Sequence, residues 1–233
     1  MKKITLLLNL LLPLVMLGQQ SGQQPAGQQQ PVKKDKASKH WKGIGLGVKA
    51  GFNFANVTNA SSINSSSRAG VNAGLFFDPS SKILGSRTEL NYSRHGFNYV
   101  AATSTGSVNL DYIQLTQMMA IHITSYVELQ LGGYTSYLLH VKSDSGQMST
   151  GNAMADQVLN YYNRFDYGFG GGVEIHPVLG LLIGARYSLS FNNLFKQSTD
   201  VSTLGQGQPS YVPYSGSMNF KNNVVQLFVG YRF

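Results

Sequence analysis

The chain has no cysteine, so neither a disulfide framework nor a thiolate metal centre is open to it, and no cysteine follows the N-terminal apolar run to carry a lipid anchor. Tryptophan occurs once, and only 12% of residues are charged. That scarce charge is also unevenly placed. Residues 1–42 hold seven lysines and one aspartate, a net of +6, whereas residues 43–233 hold eleven Lys and Arg against nine Asp and Glu, a net of +2. The formal charge of +8 therefore belongs mainly to the N-terminal segment and does not describe a basic surface on a folded domain, which excludes a nucleic-acid partner. Also missing beyond residue 43 is a sustained helical period: apolar residues there recur at every second position.

The first 42 residues separate into two pieces. Met1-Lys2-Lys3 forms a positive start, Ile4 to Leu17 an apolar stretch, and Gly18 a small residue before Gln19. This is the pattern of a secretory signal peptide over residues 1–18, too short for a membrane-spanning helix. Residues 19–42 are rich in Gln, Pro, Gly and Lys and carry too little apolar surface to offset the entropy of ordering. A disordered periplasmic linker is expected there, with Trp41 at the membrane interface.

The period-two pattern is clearest at the C-terminus. Val225, Leu227, Val229, Tyr231 and Phe233 share one parity, and Gln226, Gly230 and Arg232 the other. No candidate helix is present to cover such an apolar face in a soluble protein. A transmembrane barrel turns it to lipid and the polar parity into its lumen. Eight segments of this kind follow residue 43, among them Ile44 to Phe54, Ala69 to Phe77, and Leu179 to Phe191. The expected fold is all-β: an eight-stranded antiparallel up-and-down transmembrane β-barrel over residues 43–233. Breaks after the second, fourth and sixth segments are short, whereas those after the first, third, fifth and seventh are longer and polar. Tight periplasmic turns and long external loops have this asymmetry, so both termini are expected in the periplasm of an outer-membrane protein. Tyr231 and the terminal Phe233 form the aromatic signal expected for outer-membrane insertion.

Inward parity selects the polar residues of the lumen. Lys49, Arg87, Arg186 and Arg232 supply positive charge there, and Glu89, Glu128, Asp166 and Glu174 negative charge. Eight strands enclose only enough room for side chains. Because isolated buried charges are costly, a paired, hydrogen-bonded polar filling is expected instead of an ion path. Inward glycines, Gly51, Gly172 and Gly184 among them, are expected to make room for these long side chains. Phe54, Tyr92, Phe97, Tyr99, Phe165 and Phe191 fit an outer aromatic girdle, and Trp41, Tyr126 and Phe233 an inner one. Tyr161, Tyr162, Tyr211 and Tyr214 fall in long loops, where packing within the loops is expected.

Several local patterns suggest chemistry and fail on context. Gly45-Leu46-Gly47 lies inside an alternating strand, not before a helix that could hold a pyrophosphate, and Gly168 to Gly172 lacks a phosphate-binding Lys-Ser/Thr. No two histidines stand at metal-ligand spacing. His95, His122, His140 and His176 are all inward by parity, with His122 and His176 together at the periplasmic end. That pair is the best metal candidate, although hydrogen-bonded lumen histidines are the expectation, and no metal or cofactor is assigned. His140 with Ser143 and Asp144, or Arg94-His95 with loop serines, could be drawn as catalytic groups. Chance proximity accounts for both in loops so rich in Ser and Thr, and no catalytic residue is assigned.

The stretch Gly47-Val48-Lys49-Ala50-Gly51-Phe52-Asn53-Phe54-Ala55 resembles the G-x-K-x-G-x-N-x-(A/S) opening strand of the PorT-type family of small outer-membrane barrels. Glu89-Leu90-Asn91-Tyr92-Ser93, Leu110-Asp111-Tyr112-Ile113-Gln114-Leu115 and the Gly-Tyr-Arg-Phe end extend the resemblance across residues 43–233. The fourth strand departs from it, with Thr116-Gln117 where relatives often carry a proline. The resemblance implies an eight-stranded barrel, with some relatives serving secretion or gliding assemblies. A non-enzymatic, monomeric interaction barrel is the leading expectation. It would sit in outer-membrane lipid, be assembled by the insertion machinery, and meet an envelope protein through loops or tail. A narrow channel and a lipid-A-modifying enzyme are the alternatives.

Overall fold

Alternation along the chain becomes eight strands: β1 Leu46–Thr58, β2 Ser66–Phe77, β3 Leu84–Ala101, β4 Ser104–His122, β5 Val127–Ser143, β6 Phe165–Ile175, β7 Leu181–Ser190 and β8 Lys221–Arg232. The computed structural model describes residues 45–58, 65–79, 83–101, 104–143, 162–178, 180–196 and 220–233. Residues 1–18 and 19–42 lie outside these, as do Trp41, Asp144, Tyr161, Tyr211 and Tyr214. Each strand pairs antiparallel with its neighbour in sequence, and β1 pairs with β8, which closes the sheet. Closure leaves no strand edge to be satisfied, the condition for a sheet to stand in lipid.

Outside the barrel, Leu46, Val48, Phe52, Leu75, Leu90, Leu115, Leu131, Ile183 and Leu227 are exposed, while their sequence neighbours of opposite parity turn inward. This is an inside-out version of a soluble core, with apolar side chains facing what must be a nonaqueous surround. Both strands at the closure begin and finish at one end, which also carries the connections at 78–83, 123–126 and 176–180. We refer to it as the short-turn end. Thr124 stabilises one of these turns by accepting the backbone N–H groups of Tyr126 and Val127, at 3.1 and 3.0 Å. Gly180, at φ 84°, makes another, and its carbonyl accepts the Arg232 N–H at 2.7 Å.

Two expectations about the opposite, long-loop end are corrected. The third connection is not long: only residues 102 and 103 separate β3 from β4, whose 18 and 19 residues carry the ladder well past the other strands. Pairing from Phe97↔Val108 to Ala101↔Ser104 continues the ladder through a segment whose polar composition suggested a loop. His140 is not inward. Asp111 pairs with His140 but Tyr112 pairs with Leu138, so Leu139 is a bulged residue and parity changes across it. His140 is consequently exposed, and Val141, expected outward, packs against the interior.

Candidate functional site

Three layers fill the lumen from the short-turn end upward. The lowest is ionic. Arg186 holds Glu89 through both guanidinium NH2 groups, at 2.7 and 2.8 Å, and Lys49 reaches the same carboxylate at 2.6 Å. Arg186 also donates to Gln130 at 2.5 Å, and Gln130 donates in turn to Glu128 and Glu174, each at 2.8 Å. Below them Arg87 contacts Glu174, Asp78 at 2.8 Å and Glu128 at 3.4 Å, while Arg232 reaches Asp78 at 3.0 Å. All of these except Arg232 are buried. Bidentate and shared contacts of this kind offset the desolvation that each charge suffers inside the barrel.

Seven of the eight inward charges read from the sequence therefore meet in one network. Asp166 stands apart from it: its carboxylate accepts from Ser190 and, at 3.5 Å, from Asn222, and no cation pairs with it among the described residues. Asp78 is the member that the sequence reading missed. It sits one step past β2, and carrying the inward parity of Asn72, Gly74 and Phe76 to position 78 would have found it. Aromatic faces also enter the layer. Lys49 Nζ lies 4.3 Å from the Phe228 ring centre, and the Arg87 guanidinium 4.9 Å from that of Phe76. Gly184 makes room for the Phe228 ring and for Glu174, since a Cβ there would stand 2.5 Å from the ring and 3.0 Å from Glu174 Cγ.

The short-turn end of this layer carries two half-exposed histidines. Nε2 of His122 is 3.1 Å from Glu128 Oε2, and Nε2 of His176 is 3.6 Å from Glu128 Oε2 and 3.5 Å from Glu174 Oε1. His122 and Glu128 face each other across β4 and β5, as Glu128 and Glu174 do across β5 and β6.

The middle layer is built on hydrogen bonds. Asn72 donates to Asn53 at 2.7 Å and Asn53 donates to Ser93 at 2.9 Å, with the His95 Nε2 at 2.9 Å from the same hydroxyl. His95 stacks against Tyr112 with ring centres 5.0 Å apart. Arg94, its neighbour, turns the other way and pairs on the outer surface with Asp111 at 2.6 Å. The Arg94-His95 pair thus splits across the barrel wall, and its histidine is fully enclosed.

The third layer is apolar and was not expected. Val57, Phe97, Val108, Leu110, Tyr112 and Leu138 point into the barrel at the long-loop end, where Tyr162, Leu194, Phe195 and Phe220 close over them. Phe97, assigned to the outer girdle, is 1% exposed; it shares the inward parity of Arg87 and Glu89, and its aromatic character misled the assignment. Tyr162 and Phe195 are bridged backbone to backbone with rings 4.7 Å apart, and the Leu194 N–H donates to the Phe220 carbonyl at 2.7 Å. These contacts continue the β6–β7 and β7–β8 pairings past the ends of the strands. Phe54, Phe165, Phe191, Tyr126 and Phe233 are exposed on the outer surface as girdle residues would be, whereas Asp144 and most of the loop serines lie outside the described residues.

Residues 23–196 match the family model described as outer membrane protein beta-barrel domain. The chain belongs to that family. Among solved structures it is similar to Neisserial surface protein A, at 15% identity over 81% of this chain and 97% of that one, with a TM-score of 0.50. It is also similar to Ail, the attachment invasion locus protein of Yersinia pestis, at 16% identity, 81% and 97% coverage and a TM-score of 0.44. OprG of Pseudomonas aeruginosa gives 11% identity, 81% and 95% coverage and a TM-score of 0.43. No curated protein matches the sequence. The family and the barrel together make this an outer-membrane protein whose exposed belt sits in lipid.

Proposed function

We propose that this protein is a non-conducting interaction barrel of the outer membrane, an accessory of an envelope or secretion assembly that makes its contacts through the long loops and the N-terminal tail. One observation carries this reading: the lumen is filled at every level, by ion pairs, then by hydrogen bonds, then by the apolar layer under Tyr162, Phe195 and Phe220. A path for solute would have to break buried charge pairs and separate the loop ends that cover them. What remains for contacts is the outside of the barrel, with the long loops and the tail as the proposed contact segments. The resemblance to PorT-type barrels supports the assembly role. In this reading the short-turn end faces the periplasm, the long loops face outward, and the barrel acts as a monomer. The charges of the lumen serve to hold the strands in register.

Two experiments test this. Purified barrel in planar lipid bilayers should give no conductance above background, and steady single-channel openings would overturn the filled lumen. Crosslinking in native membranes, with the full chain and with a variant lacking residues 19–42, should recover a specific envelope protein. Recovery of lipid alone, together with an altered lipid-A profile dependent on the gene, would replace the interaction role with an enzymatic one.

A further inference from the structure

We propose that the short-turn end of the lumen binds a divalent first-row transition cation of the zinc class, held by His176 Nε2, Glu128 Oε2 and Glu174 Oε1, with His122 Nε2 as the fourth ligand. The strands build the site by register. His122, Glu128 and Glu174 occupy facing positions on β4, β5 and β6, all on inward parity, and His176 follows Glu174 by two residues and so returns to the same face. Hydrogen-bonding atoms of Glu128, Glu174 and His176 all lie within 4.8 Å of one another.

Three further observations point to a cation. The Glu128 Oε2, Glu174 Oε1 and His176 Nε2 atoms are buried and have no hydrogen-bond partner among the described residues. Each carboxylate turns its other oxygen towards Arg87 or Gln130, so the guanidinium does not satisfy the pair on this side. Nε2 of His122 stands 3.1 Å from the same Glu128 Oε2. Buried oxygens and a ring nitrogen left in this state are costly unless something they all coordinate is shared between them.

Spacing fits the same ion. A tetrahedral centre with bonds of about 2.0–2.1 Å places its ligand atoms roughly 3.3–3.4 Å apart. His176 Nε2 lies 3.6 Å from Glu128 Oε2 and 3.5 Å from Glu174 Oε1, close to that edge, while His122 Nε2, 3.1 Å from Glu128 Oε2, would turn inward to complete the fourth position. Two imidazoles with two carboxylates favour zinc-like ions over calcium or magnesium, which prefer oxygen alone. The histidine side chains are 22% and 23% exposed, so the site is open to ions at this end while its carboxylates are enclosed.

The test uses the untagged protein purified from outer membranes, with Co2+ as the probe. We expect saturable binding of about one Co2+ per chain, with visible ligand-field bands that Zn2+ removes. His176→Ala and His122→Ala should each weaken binding at least about tenfold. His140→Ala, on an exposed histidine at the other end, should leave it unchanged. Altered gel mobility on heating reports whether each variant is folded. Absence of saturable Co2+ binding to the folded wild-type barrel would overturn the site. Equal affinity in a folded His122→Ala/His176→Ala double variant would overturn it too, as would loss of binding in His140→Ala.

Discussion

Thr88 on β3 donates a 2.7 Å hydrogen bond to Gln117, its facing residue on β4, on the outer surface of the barrel. Both break the apolar alternation of their own strands, and they do so at the same level, flanked by Leu90 and Leu115. Each supplies what the other lacks in a surround without water. Removing one partner leaves a polar group with no replacement, while removing both leaves none. Gln117→Leu should therefore destabilise the barrel by about 1 kcal/mol, and Thr88→Val/Gln117→Leu should restore wild-type stability or exceed it. Urea unfolding in lipid vesicles measures this; a double variant weaker than the single would show that the pair does not act as a unit.

Interior aromatic packing gives a second prediction. Phe97 is enclosed by Val108, Leu110 and Leu138, whereas Phe54 lies on the outer surface in the lipid belt. Phe97→Ala opens a cavity that its closed surroundings cannot collapse, at a cost of about 3–5 kcal/mol. At position 54 lipid tails take the place of the lost ring, so Phe54→Ala should cost well under that. Equal losses in the same unfolding assay would return Phe97 to the outer girdle.

The ion network yields a third. Arg186 supports Glu89 and Gln130 at once inside the barrel, and Arg94 pairs with Asp111 at the partly exposed rim. Arg186→Ala should cost about 3–5 kcal/mol because it strands buried acceptors. Arg94→Ala should cost about 1 kcal/mol or less. Adding Glu89→Ala to Arg186→Ala should recover part of the loss, since the two losses are coupled and not additive. Unfolding of the four proteins under one set of conditions completes the cycle, and strictly additive losses would count against the pairing.

Much of this was legible in the sequence because a barrel wall has a period of two with no exceptions while the ladder is regular. Lys49, Arg87, Glu89, Glu128, Glu174 and Arg186 all fell on inward parity, and closure of the sheet then brought them into contact with one another. Legibility failed where regularity did. The bulge at Leu139 exchanged the faces of His140 and Val141, and a bulge adds a residue without any composition to mark it. Phe97 and Asp78 failed differently: parity pointed inward for both, and side-chain type or an adjoining turn overrode it. The apolar layer depends on Tyr162, Leu194, Phe195 and Phe220 folding back from loops, a long-range arrangement that no local period encodes.

Assembly and stability should separate at the C-terminus. Phe233 donates its backbone N–H to the Leu46 carbonyl at 2.8 Å, and its ring meets Tyr231 edge to face at 5.5 Å, with both side chains on the outer surface. The backbone bond survives substitution, and the exposed ring contributes only a small contact to the folded barrel. If Tyr231 and Phe233 form the signal for membrane insertion, Phe233→Ala should reduce the amount of folded barrel in cells far more than it lowers unfolding stability. Pulse-labelled cells, scored for the heat-sensitive folded form, report the first quantity, and urea unfolding of the purified variant reports the second. A variant that assembles at the wild-type rate would remove the insertion role from this residue. One equally impaired in both measurements would make Phe233 a structural contact of β1 and β8 instead.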